Sequence, residues 1–133
     1  MPLPTPHKAI WSVIPVFLMI GIIFRHPTLD IQFHDTYFVI SAFHLSAFFS
    51  IILMLIGLVY WQNRDRKLIS WMTFIHVVWT ILVFGFIQIN VAFSVGGIFI
   101  YHGFFGFWGY MVIFFTGVVQ MLLLINVRRS KVQ

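Results

Sequence analysis

Cysteine and glutamate are both missing from the 133 residues. Without cysteine there is no disulfide, no thiolate metal site and no sulfur nucleophile, and the composition carries no trace of a redox compartment. Without glutamate the acids reduce to Asp30, Asp35 and Asp65. Only 8% of the residues are charged, against about 25% in soluble domains, while 61% are hydrophobic and 20% aromatic. So few polar side chains could not cover the surface of so large a core, which excludes a soluble enzyme, a nucleic-acid-binding module and a disordered tail. The pI near 10.1 does not restore nucleic acid as a partner, because the basic residues stand at segment ends rather than along one face. With a mean hydropathy of +1.00, the chain reads as an integral membrane protein in contact with lipid.

A helix needs about 20 apolar residues to cross a bilayer core. Four such runs are present, at about 9–24, 37–61, 68–93 and 98–127. They predict an all-α, single four-helix transmembrane domain. The first run is short, and Pro15 is expected to bend it. The connections fall at 25–36, 62–67 and 94–97, the last a Ser-Val-Gly-Gly turn that predicts an antiparallel hairpin of the third and fourth helices. Pro2, Pro4 and Pro6 precede the first run and no small-residue cleavage site follows, so it does not read as a signal peptide. Lys8, Arg64, Arg66, Lys67, Arg128, Arg129 and Lys131 fall on one side of the four spans and only Arg25 on the other. The positive-inside rule then places both termini in the cytoplasm, in a bacterial inner membrane, with the 25–36 connection outside.

Six histidines hold the chemical potential: His7, His26, His34, His44, His76 and His102. An ionisable residue within a span is a functional candidate by default. His44 is expected about seven residues into the second helix, about 10 Å below its outer end. Neutral imidazole there requires either a hydrogen bond to a neighbouring helix or a metal or haem iron. His102 opens the fourth helix in the run His102-Gly-Phe-Phe-Gly-Phe-Trp-Gly109. Gly103, Gly106 and Gly109 recur every three residues, which suits either a close helix contact or the flat edge of a porphyrin. His76 reads as structural, and His7 and His26 as interfacial. The pair His34-Asp35 has two readings, Asp35 as a helix cap or the two together as part of a divalent-cation site. Buried carboxylates for a proton relay are lacking in all four spans.

The stretch Leu29-Asp-Ile-Gln-Phe-His-Asp-Thr-Tyr-Phe-Val-Ile-Ser-Ala-Phe-His44 resembles subunit I of the haem–copper oxidases. At the start of its tenth helix that family carries Leu-Asp-x-x-x-His-Asp-Thr-Tyr-Phe/Tyr-Val-Val-x-His-x-His, which agrees at nine of its eleven specified positions in order without a gap. The run around Ile75-His76 is similar to the Lys-Ile-His-Phe pattern of the family's eleventh helix, so the chain would correspond to helices nine to twelve. The resemblance implies that His44 is an axial ligand of a low-spin haem, and that His34 and Asp35 contribute to a magnesium site near the outer face. The family's other tenth-helix histidine, which binds the oxygen-reducing haem, is matched by Ala42, and its copper ligands have no counterpart here. Copper and a complete dioxygen-reducing site are therefore not implied.

The expected function is that of a small b-type cytochrome of the membrane, acting in electron transfer or haem sensing. Its second axial ligand would be His102 of the same or a neighbouring chain, or a symmetry-related His44. The alternative is a structural or accessory subunit of an oxidase-like complex without its own cofactor, and a quinol-handling protein is a third class. The oxidase subunit has twelve helices in three arcs of four, so a four-helix relative suggests a homotrimer, with a dimer next.

Overall fold

The computed structural model describes residues 5–33, 35–93, 98–99 and 104–129. In chain order the elements are α1 (Pro6–Ile23), β1 (Thr28–Phe33), β2 (Thr36–Ser41), α2 (Ala42–Gln62), α3 (Ser70–Ala92), β3 (Ile98–Phe99) and α4 (Phe104–Arg129). All four helices are long and apolar enough to cross a bilayer, so the protein is a four-helix membrane protein. Its shortest helix, α1, has 18 residues and reaches about 27 Å, close to the hydrocarbon thickness. Pro6 begins α1, where a missing N–H costs nothing, and the helix continues through Pro15.

The second span departs from the sequence expectation. Residues 37–41 are not the top of the helix but lie in β2, paired antiparallel with β1 from Thr28↔Ser41 to Phe33↔Thr36. Tyr37, Phe38, Val39 and Ile40 are aromatic or β-branched, which favours an extended backbone over a first helical turn. β3 joins the other edge of β1 in parallel, giving the order β2-β1-β3. The fourth span correspondingly starts as a helix at Phe104, not at 98. Ser41 ends β2 and caps α2 directly, with φ −68° and ψ 152° and its hydroxyl accepting from the His44 amide. Asp35 is consequently not the cap of α2. The Ala42 amide donates to the Pro27 carbonyl at 2.9 Å, tying the first turn of α2 to the base of the hairpin.

Helix packing follows membrane logic, with small and polar groups inside and apolar groups outward. The buried face of α2 runs Ala42, Leu45, Ser46, Phe49, Ser50, Leu53, Ile56, Gly57 and Tyr60, at helical spacing. Two glycines let α1 and α2 approach closely. A Cβ at Gly21 would overlap the Ser46 side chain, and one at Gly57 would overlap the Trp11 indole. The rings of Phe49 and Phe84 stack at 4.4 Å and 11°, joining α2 to α3, and Phe17 of α1 completes the cluster.

On α3 the polar residues Thr73, His76, Thr80 and Gln88 are buried while Leu82, Phe86 and Ile89 are exposed. In water this distribution would be inverted; in lipid it places hydrogen bonds where no solvent competes. α4 packs chiefly on α3 and is held by a polar seam. Trp79 donates to Thr116 Oγ1 at 3.2 Å, and Asn126, fully buried, accepts from the Ile69 amide at 2.7 Å while donating to Thr73 Oγ1 at 2.9 Å and the Ile69 carbonyl at 3.2 Å.

Candidate functional site

His44 is the third residue of α2, not about seven residues into a longer helix, and so lies at the hairpin end of the bundle rather than about 10 Å below it. The shift follows from the hairpin, which takes the five preceding residues out of the helix. The imidazole is exposed. Its hydrogen bond does not cross to another helix: Nδ1 lies 2.6 Å from the Oγ of Ser41, one turn back in the same segment. The ring of Phe43 stands edge-on to the imidazole at 5.7 Å.

With Nδ1 protonated, the imidazole donates to Ser41 Oγ, and Nε2 keeps a lone pair with no hydrogen-bond partner among the described residues. That is the arrangement a metal-bound histidine requires, one nitrogen fixed by an acceptor and the other available. Beside it an open cleft of about 510 Å³ separates the end of α1 from the start of α2, lined by Ile22, Arg25, His26, Ser41 and Phe43. Arg25 Nε donates to His26 Nε2 at 3.4 Å, so one cation and two imidazoles gather at this end of the molecule. His26 and Arg25 carried no spacing signal in the sequence; the turn that follows α1 places them here.

The remaining candidates are distributed as follows. Ala42 is buried in the first turn of α2. Asp35 stands exposed in the turn between β1 and β2. His34, His102 and Gly103 lie outside the described residues, while Gly106 and Gly109 belong to the first turns of α4. Among the described residues no group of three or more His, Cys, Asp or Glu could hold a metal ion together.

His76 is completely buried, and both of its ring nitrogens are engaged. Gln120 Oε1 can only accept, so Nε2 carries the proton and donates to it at 2.9 Å. Nδ1 then accepts from the Tyr60 hydroxyl at 3.0 Å. Gln120 in turn donates to Thr80 Oγ1 at 3.2 Å, which donates to the His76 carbonyl at 2.7 Å. This histidine joins α2, α3 and α4 and offers no free nitrogen to a metal.

A second buried polar group joins α3 to α2, where Gln88 Nε2 donates to Ser46 Oγ at 2.5 Å and Ser46 donates to the Ala42 carbonyl at 2.8 Å. It anchors the first turns of α2 beneath His44. No family model and no solved structure matches the chain.

Proposed function

We propose that the protein is a small haem-binding membrane protein, a b-type cytochrome related to subunit I of the haem–copper oxidases. The observation that carries this reading is His44: an exposed imidazole whose Nδ1 is held 2.6 Å from Ser41 Oγ and whose Nε2 has no hydrogen-bond partner among the described residues. A haem bound there supplies one-electron redox chemistry, with the iron closed to oxygen when both axial positions are filled by side chains. Ser41 fixes the ring, Phe43 flanks it, and the Ser46–Gln88 pair holds the turn of α2 that carries it. Ala42 offers no second ligand for an oxygen-reducing centre, so the function is electron transfer or haem sensing rather than dioxygen reduction.

An imidazole on the outer surface of one chain is suited to a site completed by another. A second ligand would come from His102 of the same or a neighbouring chain, or from the His44 of a neighbour, in a homo-oligomer for which a trimer is preferred to a dimer. The orientation that goes with this reading has both termini in the cytoplasm of a bacterial inner membrane, with the hairpin and His44 outside. The test is the absorption spectrum of the purified protein: a sharp low-spin Soret band in the wild type, lost in His44→Ala. Equal haem content in both would overturn the ligand assignment. A colourless wild type supplied with haem would leave the accessory membrane subunit as the reading.

A further inference from the structure

The end of the bundle opposite His44 carries a second cleft, of about 220 Å³, whose lining includes His7, Arg64, Arg66, Lys67, Ser70 and Thr73. It lies where the first turn of α1, the α2–α3 connection and the first turn of α3 meet. Neither helix has a hydrogen bond from the side chain of its cap residue or an acidic residue in its first turn, so no carboxylate offsets either N-terminal dipole at this end. The only carboxylate in the α2–α3 connection, Asp65, pairs with Arg64 across 3.8 Å with both side chains largely in solvent. Such a pair contributes little and leaves Arg64 available. Arg66 donates to the Val127 carbonyl at 3.4 Å, which brings the end of α4, with Arg128 and Arg129, to the same side. Lys67 has no ion-pair partner among the described residues.

The geometry points to this cleft as a site for a phosphate group, a phosphomonoester or phosphodiester oxyanion seated between Arg64, Lys67 and His7. The chemistry is independent of the haem reading. Basic clefts between membrane helices at the water interface hold anionic headgroups, and each nearby cation contributes about 1 kcal/mol, or about fivefold in affinity. An aliphatic ligand would gain nothing from the Arg64 and Lys67 cations, whereas a phosphate oxyanion can accept from both, and from the ring N–H of His7, whose charge burial and the neighbouring Lys8 and Arg64 disfavour.

The same protein in nanodiscs separates the two sources of phosphate. In one arm the bilayer contains phosphatidylglycerol among phosphatidylcholine, and lipids retained after release are counted by native mass spectrometry. In the other the bilayer is phosphatidylcholine alone, and inorganic phosphate is titrated by equilibrium dialysis. The wild type is compared with Arg64→Gln, with Arg64→Gln/Lys67→Gln, and with Arg25→Gln at the opposite end as control; Arg66 is left intact because it touches α4. Affinity is expected to fall about fivefold for each cation removed and to be unchanged in Arg25→Gln. Loss in the lipid arm assigns a headgroup and loss in the phosphate arm assigns a free anion, and either supports the site. No loss in either arm, or equal loss in Arg25→Gln, overturns it.

Discussion

Replacing Asn126 by leucine should loosen α4 from α3 more than any other single change on α4. The side chain is fully buried and makes three hydrogen bonds to α3 and its leading residue, at 2.7, 2.9 and 3.2 Å. Hydrogen bonds between membrane helices average about 0.6 kcal/mol, so three of them amount to about 2 kcal/mol. Leucine has the same number of side-chain heavy atoms and the same branching as asparagine, so no cavity is left, and its bulkier methyl groups at this fully buried position can only add to the polar loss. Reversible unfolding in mixed micelles, followed by tryptophan fluorescence, measures the change. Met121→Leu, on the exposed side of α4, is the control and should stay within about 0.5 kcal/mol. A double-mutant cycle with Thr73→Val isolates the 2.9 Å bond and should return a coupling of about 0.6 kcal/mol. If Asn126→Leu lies within about 0.5 kcal/mol of wild type, the seam is not what holds α4, and the packing argument fails.

Gly57→Ala should destabilise by about 1–3 kcal/mol, because the new methyl overlaps the Trp11 indole, while Gly117→Ala, with open space at its Cβ, should stabilise by about 0.5–1 kcal/mol; the same unfolding assay reads both, and equal signs would contradict the close crossing of α1 and α2. Ser41→Ala should cost about 0.5–2 kcal/mol through loss of the α2 cap and, separately, lower haem affinity about 10–100-fold by releasing the His44 ring, with Ser41→Thr restoring both. Unaltered haem affinity in Ser41→Ala would remove the hydroxyl from the site. A reporter enzyme active only outside the cytoplasm, fused after Val127, should be silent; a signal would reverse the orientation.

The four spans were legible because charge is so scarce that each interruption stands out, as Arg25, Arg64–Lys67 and Arg128 do. The hairpin was not. Tyr37–Ile40 is a short apolar run contiguous with a longer one, and periodicity cannot separate a strand from a helix over so few residues. The two-residue link between Phe33 and Thr36 is His-Asp, without the glycine that usually announces a hairpin turn. That error carried His44 too deep and gave the cap to Asp35 instead of Ser41. In the sequence His76 reads as structural because it is expected at a different depth from His44, but its partners cannot be read there. Tyr60 is 16 residues away and Gln120 44 residues away, and only the packing of α2 and α4 against α3 brings them to one imidazole.

The central claim, that His44 carries a low-spin haem through Nε2, is tested most directly by electron paramagnetic resonance of the oxidised, haem-supplied protein. The wild type should give a low-spin ferric signal at about one haem iron per site, and His44→Ala, matched for protein in the membrane, should lose it or turn high-spin. An undiminished low-spin signal in His44→Ala would contradict the account.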